Sequence, residues 1–232
     1  MKKNQIYLNN YINYLNRDLN EQRKLVLVMF DKIIYQYKLV YESLREKEQL
    51  KSKQVIENDA EINNSYSKFL NLTIWKITKR QFVTRDLRQV IIFLIIFHEL
   101  EIIADYATNI ARYFVDYPNS VKLFKNYLNE GFIHLLSMLG YIKKIIETAN
   151  LNLTYLIPKF ENKLNLYYKQ ETKTLFDKLR DNNFVSNPEN IYLILKQLKY
   201  IDQATQHLVN ISELLIYIKE GKFFDLSDYS NA

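Results

Sequence analysis

The stretch HELEIIADYATNIARYF, residues 98–114, sets polar side chains one helical turn apart directly after an unusually apolar segment. The segment before it, VIIFLIIF at residues 90–97, contains no polar residue. In an α-helix, Glu101, Asp105 and Asn109 lie on one face because each is four residues from the next. Two carboxylates at this spacing destabilise a helix slightly, so core packing alone does not explain the pattern. The stretch therefore predicts a helix with one side for packing and another side for a different purpose.

The composition of the chain favours long helices. Its 232 residues include only three glycines and three prolines, whereas an all-β protein needs turn residues about every ten positions. The absence of cysteine excludes disulfides, thiol catalysis and thiolate metal sites. Any metal ion would be held by carboxylate, amide or imidazole groups. The sequence predicts an all-α protein.

Charge and hydropathy argue against two classes of partner. The net charge of +6 is spread along the chain, whereas a nucleic-acid-binding protein concentrates basic residues in one patch with aromatic residues among them. The longest apolar run, residues 90–97, is far shorter than the roughly 20 residues of a membrane-spanning helix. Residues 1–20 have no continuous apolar region and no small-residue cleavage site. We therefore expect a cytoplasmic protein that binds no nucleic acid and has no membrane-spanning helix.

Segments that interrupt helices are few, and they divide the chain into six helical stretches. They are DYPNS (116–120), TANLN (148–152), DNNFVSNPEN (181–190), EGKFF (220–224) and the weaker FVTRDL (82–87), where Thr84 can cap a helix. Asn187 before Pro188 predicts an N-cap, and Gly221 predicts a C-terminal stop. The first boundary lies inside SLREKEQLKSKQ (43–54), where apolar periodicity is lost. The predicted helices cover residues 5–48, 50–81, 85–115, 120–147, 152–181 and 188–219.

The six helices form two sets of three that match each other. VIENDAEINNSY (55–66) aligns with IPKFENKLNLYY (157–168) at an offset of 102, and the third and sixth helices align at an offset of 101. The aligned pairs include Asp59 with Glu161, Asn63 with Asn165, Tyr66 with Tyr168, Glu101 with Asp202, Asp105 with Gln206, and Asn109 with Asn210. This internal repeat predicts two tandem antiparallel three-helix bundles, residues 1–116 and 117–221, followed by a tail at 222–232.

Helical phase predicts where the polar stripes point. At 100° per residue, Leu100, Ala107 and Phe114 belong to one apolar arc, and the polar stripe of Glu101 and Asp105 is centred nearly opposite. The sixth helix has the same relation between its apolar arc and its polar stripe. We therefore expect both stripes on the outer surface of their bundles, with Asp59 and Glu161 able to face the neighbouring helix.

These residues resemble the PhoU family, which regulates phosphate uptake. EIIADYATNIAR (101–112) is similar to the family signature E-R-I-G-D-x-A-x-N-I-A-E in the third helix of each repeat. RDLRQVIIFL (85–94) is similar to the segment that leads into that helix, and VIENDAEIN (55–63) to the family's second helix. DQATQHLVNISE (202–213) keeps fewer of the signature residues. The likeness covers nearly the whole chain in the right order.

The resemblance implies a cytoplasmic protein without catalytic activity that docks on the phosphate ABC transporter, with the ATPase subunit as its partner. There it would restrain uptake when phosphate is plentiful. A sensor histidine kinase as a second partner, and a homodimer, are left open. The alternatives are a helical adaptor that binds no metal and, ranked below it, a carboxylate-bridged di-iron enzyme. The di-iron alternative is weak because His98 precedes Glu101, which reverses the Glu-x-x-His order of such bundles.

Some members of this family carry iron or zinc clusters on the bundle surface, held by acidic motifs of the second and third helices. In the first repeat the matching residues are Asp59, Asn63, Glu101 and Asp105. In the second repeat they are Glu161, Asp202 and Gln206, with Asn165 as a further amide. Because amides bind metal ions more weakly than carboxylates, we expect any metal site in the first repeat. His98 is either an accessory ligand or exposed, and His207 is expected to be structural.

The sequence carries no nucleophile turn and no glycine-rich phosphate loop. Gly131 and Gly140 lie inside a predicted helix, and we expect them to allow close helix packing.

Overall fold

Six α-helices make up the computed structural model, which describes residues 2–46, 48–180, 188–222 and 226. The helices are α1 (Lys2–Glu46), α2 (Gln49–Lys79), α3 (Thr84–Asp116), α4 (Val121–Thr148), α5 (Ile157–Arg180) and α6 (Pro188–Glu220). Short 3₁₀ segments, Pro118–Ser120 and Leu151–Leu156, precede α4 and α5. The described residues contain no strand. The predicted all-α fold with six long helices is confirmed.

The boundary between α1 and α2 is made by side chains because no glycine or proline is available. The Ser43 hydroxyl donates a hydrogen bond to the backbone oxygen of Glu48 at 2.7 Å. Lys51, in the first turn of α2, forms ion pairs with Glu42 at 2.9 Å and Glu46 at 2.5 Å. The chain therefore reverses between Glu46 and α2, inside the segment where apolar periodicity is lost.

The other helix ends agree with the predicted breakers, with two corrections. Gly221 has a φ of +69°, and its N–H donates to the Tyr217 oxygen at 3.0 Å, so the predicted stop is confirmed. Thr84 is the first residue of α3 and not its cap, because the N-cap position is held by Val83 without a side-chain hydrogen bond. The predicted N-cap at Asn187 lies outside the described residues.

The second correction concerns the start of the fifth helix. We predict it from residue 152, but the α-helix begins at Ile157. Ala149 has a φ of +52°, and the Asn150 side chain accepts a hydrogen bond from the backbone N–H of Asn152 at 3.2 Å. These local contacts favour a 3₁₀ segment before the α-helix.

The helices are arranged in layers. α2 packs on α1 and α3, α5 packs on α4 and α6, and the two sets meet where α1 contacts α4 and α3 contacts α6. One continuous apolar core runs through both sets. Its largest fully buried side chains include Phe30, Tyr37, Phe69, Phe114, Phe124 and Phe132. The predicted division at residue 116 falls at the end of α3, but the core crosses it.

An approximate two-fold axis relates the two sets where α3 crosses α6. The Tyr106 ring lies 5.7 Å from the rings of both Tyr200 and His207. His207 Nδ1 lies 2.8 Å from Glu99 Oε2. At the repeat offset of 101, Tyr106 corresponds to His207 and Glu99 to Tyr200. Each contact therefore has its counterpart on the other side of the axis, as in an isologous interface.

The two glycines of α4 have different surroundings. A Cβ on Gly131 would lie 2.8 Å from the Tyr167 ring and 3.3 Å from Ile201, so this glycine lets α5 and α6 approach closely. A Cβ on Gly140 would meet nothing within 4 Å. The prediction of close packing is correct for Gly131 and wrong for Gly140, which lies in an open part of the α4 surface. None of the described helices has the length and apolar content to cross a membrane.

Candidate functional site

The signature-like residues of the first repeat come together between α2 and α3. Asp59, Glu101 and Asp105 are all half-buried, and we call these three carboxylates the acidic cluster. Asp59 faces α3, because its Oδ1 accepts a hydrogen bond from the Thr108 hydroxyl at 2.9 Å. Its Oδ2 lies 3.6 Å from Arg112 Nη2. Two side chains of α3 thus fix the carboxylate supplied by α2.

Electrostatics in the acidic cluster are dominated by burial and mutual repulsion. Burial raises the pKa of Glu101, and the neighbouring Asp105 and Asp59 raise it further while His98 opposes them. Burial and Asp59 likewise raise the pKa of Asp105, against the effect of Arg112. The folded protein therefore holds these carboxylates in an environment less favourable to their charge than water. The packing of α2 on α3 does not by itself require carboxylates in this unfavourable environment.

The remaining candidates of the first repeat lie at the rim of the acidic cluster. His98 is half exposed, with Nδ1 3.6 Å from Glu101 Oε2 and its ring 5.4 Å from that of Tyr66. Asn63 is exposed on α2. Asn109 is half-buried, and its side-chain oxygen lies 3.5 Å from Arg112 Nη1.

The second repeat has the same geometry with different charges. Lys199 forms an ion pair with Asp202 at 2.7 Å, and its ammonium lies 5.7 Å from the centre of the Tyr168 ring. These residues correspond to His98, Glu101 and Tyr66, so the arrangement of aromatic ring, basic group and carboxylate is repeated. Gln206 is exposed and Glu161 is half-buried. The carboxylate that Asp105 adds in the first repeat is missing here.

The contacts that hold Asp59 are also absent from the second repeat. Thr108 corresponds to Val209, which has no hydroxyl to donate to Glu161. Arg112 corresponds to Glu213, whose Oε1 accepts a hydrogen bond from the backbone N–H of Leu226 at 2.9 Å. Leu226 is fully buried. This position in the second repeat thus contacts the chain beyond α6.

The prediction that both polar stripes face outwards needs correction. Gln206 and Asn210 are exposed, but Glu101, Asp105 and Asp202 are half-buried. The physical reason is that α2 and α5 cover part of α3 and α6. Helical phase is calculated for one helix alone, so it does not show that a neighbouring helix covers part of the polar face.

The fit of these residues to a metal ion can be judged from the arrangement of donors. In residues 2–46, 48–180, 188–222 and 226, no three or more His, Asp or Glu side chains form a group able to hold a metal ion. Asp59 is engaged by Thr108 and Arg112, and Asp202 by Lys199. As arranged, neither repeat offers a ready-made metal site. Metal binding by these residues remains a prediction.

Sequence reasoning missed a polar group between the repeats. Glu99 Oε2 accepts from Asn210 Nδ2 at 3.3 Å and contacts His207 as described above. Burial opposes ionisation of Glu99, but the hydrogen bonds of His207 and Asn210 outweigh it and lower the pKa of Glu99. The expected structural role of His207 agrees with these contacts. No residue spacing indicates Glu99, because its partners belong to the other repeat.

Fold and site together define a two-repeat helical protein with a polar surface motif in each third helix. Residues 26–114 match the model of the PhoU domain. This part of the chain is therefore similar in sequence to PhoU domains.

Known proteins resemble the chain along most of its length. The uncharacterized protein MG409 of Mycoplasma genitalium is 27% identical over 92% of this chain and 99% of its own length. A phosphate-specific transport system accessory protein PhoU homolog of Borreliella burgdorferi is 23% identical over 80% of this chain and 85% of its own. The crystal structure of PhoU from Pseudomonas aeruginosa superposes with a TM-score of 0.81 at 20% identity, covering 89% of this chain and 99% of that protein. The fold over most of the chain is therefore that of PhoU proteins.

Proposed function

We propose that the protein regulates phosphate uptake by binding the phosphate ABC transporter at its ATPase subunit. The observation that carries the proposal is the PhoU domain at residues 26–114, inside a chain that has the PhoU fold over most of its length. The names of the relatives connect such proteins with phosphate transport. The chain itself supplies long, rigidly packed helices whose outer faces are available for docking.

The proposal assigns no chemical step to the protein. The family's role is regulatory, and its signature residues here are engaged in contacts between helices. The residues add no support for a di-iron enzyme, because no three or more His, Asp or Glu side chains in the part of the chain that the structure describes form a group able to hold a metal ion. Regulation then acts through binding, with the transporter anchoring the protein at the membrane. A sensor histidine kinase is a second partner consistent with the same mode of action.

The test combines genetics with direct binding. Deletion of the gene should raise phosphate uptake in phosphate-rich medium, and the purified ATPase subunit should retain the protein in a pull-down. Normal uptake after deletion, together with no binding, would leave only the adaptor alternative. Retention by the sensor kinase but not by the ATPase subunit would move the proposed contact to the kinase.

Metal binding is tested separately on protein purified without chelators. Iron and zinc are measured in the wild-type protein, in Asp105→Asn and in Asp202→Asn. We expect any stoichiometric metal to depend on Asp105. Metal that depends on Asp202 alone would reverse the predicted order of the two repeats.

A further inference from the structure

An apolar groove lies between α1 and α2 on the outer side of the first repeat. Its volume is about 190 Å³. It is lined by Leu25, Val28, Met29, Lys32, Ser65, Lys68, Phe69, Leu72 and Phe97. The floor is core material, since Met29, Phe69 and Phe97 are at most 3% exposed. The groove is thus a rigid opening onto the core and separate from the acidic cluster.

The edge of the groove exposes apolar side chains that folding alone would bury. Val28 is 51% exposed and Leu25 is 36% exposed, three residues apart on the same face of α1. On α2, Trp75 lies about one turn beyond the lining residue Leu72 and is 51% exposed. Contiguous exposed apolar surface of this kind is typical of interaction sites.

The charged residues in the lining of the groove are both lysines, and one of them is already paired with a carboxylate outside the lining. The lining contains Lys32 and Lys68 and no carboxylate. Lys32 forms an ion pair at 2.7 Å with Glu61, which does not line the groove. Lys68 is exposed. An occupant that is apolar where it enters the groove and acidic at its flanks would complement both features.

The corresponding groove of the second repeat is polar. At the offset of 102, Ser65 and Phe69 of α2 correspond to Tyr167 and Glu171 of α5. The groove between α4 and α5 is lined by Lys125, Asn126, Asn129, Glu130, Tyr167 and Glu171. Burial and the neighbouring Glu130 raise the pKa of Glu171. Only the first repeat therefore offers an apolar groove at this place.

We propose that the groove between α1 and α2 binds an amphipathic helix of a partner protein, with acidic residues flanking the apolar stripe of that helix. Leu25 to Lys32 spans about 10 Å along α1 at 1.5 Å per residue, which matches two turns of a bound helix. Apolar side chains of the helix would contact Val28 and Leu72, and a flanking carboxylate would pair with the exposed Lys68, since Lys32 already pairs with Glu61. This inference rests on the proposed function, because the partner that carries the helix is the one through which the protein regulates.

The first experiment measures binding of the purified ATPase subunit to the wild-type protein and to Val28→Glu, Lys68→Glu and Leu166→Glu. Leu166 is the matched control, since it is 59% exposed on α5, away from the groove. We expect at least tenfold weaker binding for the two groove variants and unchanged binding for Leu166→Glu, with unchanged circular dichroism in all three. Wild-type binding that all three variants retain would overturn the groove assignment and leave the proposed function intact.

If the ATPase subunit does not bind at all, that result counts against the proposed function. A second experiment therefore tests the groove without this subunit. Two 18-residue amphipathic peptides share one leucine stripe and carry flanking Glu in one and flanking Lys in the other. Trp75, the sole tryptophan of the chain, reports binding by its fluorescence. We expect the Glu peptide to bind at least tenfold more tightly, with the preference lost in Lys68→Glu. Equal affinity for both peptides, or a wild-type dimer that Val28→Glu converts to monomer, would overturn the proposal.

Discussion

The two repeats place the same three kinds of side chain at equivalent positions, but they balance the charges differently. In the second repeat Asp202 has its own lysine one turn earlier, Lys199, at 2.7 Å. In the first repeat the position of that lysine is held by His98, and Asp105 adds a second carboxylate beside Glu101. The two repeats thus share one arrangement of side chains, but the carboxylate of the second repeat has a close lysine, whereas those of the first repeat have the more distant His98 and Arg112. Four measurements test how the two repeats differ.

The largest expected effect concerns the polar contacts that join α1 to α2 in the first repeat. Lys76 is 1% exposed, and its ammonium donates to the Asp18 backbone oxygen at 2.9 Å and to Glu21 at 2.8 Å. Lys76→Ala should lower the free energy of unfolding by about 3 kcal/mol, because a buried charged contact is broken and a void is left. Denaturant unfolding measures it, with exposed Lys79→Ala as the control. A loss as small as the control's would show that these contacts do not hold α1 and α2 together.

The second measurement tests the corresponding helix pair of the second repeat, which relies on close approach. Gly131→Ala should destabilise the protein by about 2 kcal/mol, because the new methyl group meets the Tyr167 ring. Gly140→Ala should instead stabilise it by up to about 1 kcal/mol, since alanine favours helix and the site is open. Thermal unfolding of the two variants gives the comparison, and equal shifts in Tm would contradict it.

The third measurement concerns the interface between the repeats. Glu99→Ala should cost about 1.5 kcal/mol at pH 7, because the charged hydrogen bonds with His207 and Asn210 are lost. The pKa of Glu99 is lowered by folding, so its contribution is present above the ordinary carboxyl pKa and is lost as the pH falls through the folded value. The cost of the substitution should therefore shrink towards pH 3. A cost that is the same at pH 7 and pH 3 would assign it to packing.

The smallest effect comes from the acidic cluster itself. Asp105→Asn should stabilise the protein at pH 7 by roughly 0.3 kcal/mol, since it removes a like-charged neighbour of Glu101. Raised carboxyl pKa values stabilise the folded state only below the ordinary carboxyl range, and that stabilisation is lost as the pH rises. The gain should thus vanish below about pH 4. The reciprocal change, Gln206→Asp beside Asp202, should produce a loss of similar size, and a gain there would break the comparison.

Much of the fold is accessible from the sequence because so few residues interrupt the helices. Gly221 and the SLREKEQLKSKQ segment mark real ends, and the offsets of 101 and 102 identify residues that occupy equivalent places. The packing of α3 on α6 is not accessible in this way. Glu99 and Tyr106 lie on a helix face whose role is decided by the other repeat, and neither belongs to the repeated polar stripe.

The sequence predicts which carboxylates of the first repeat lie near one another, but it does not predict their contacts. Asp59, Glu101 and Asp105 do converge, because residues of adjacent helices with matching phase meet. The hydrogen bond of Thr108 and the contact of Arg112 depend on the separation and rotation of α2 and α3, which side-chain volumes throughout the core determine. The prediction that the polar stripe is exposed is wrong for the same reason, because it also depends on how α2 and α3 pack.

The approximate two-fold symmetry at Tyr106 and His207 has a consequence for how the two halves are held together. An isologous contact is the one made by two identical chains in a symmetric dimer, and here it lies within a single polypeptide. The molecule thus has the arrangement of a symmetric dimer of three-helix subunits, with a stoichiometry fixed at one to one by the link after Asp116. Because the two halves are one chain, they need not be identical, and a histidine faces a tyrosine where a dimer of identical chains would place two identical residues.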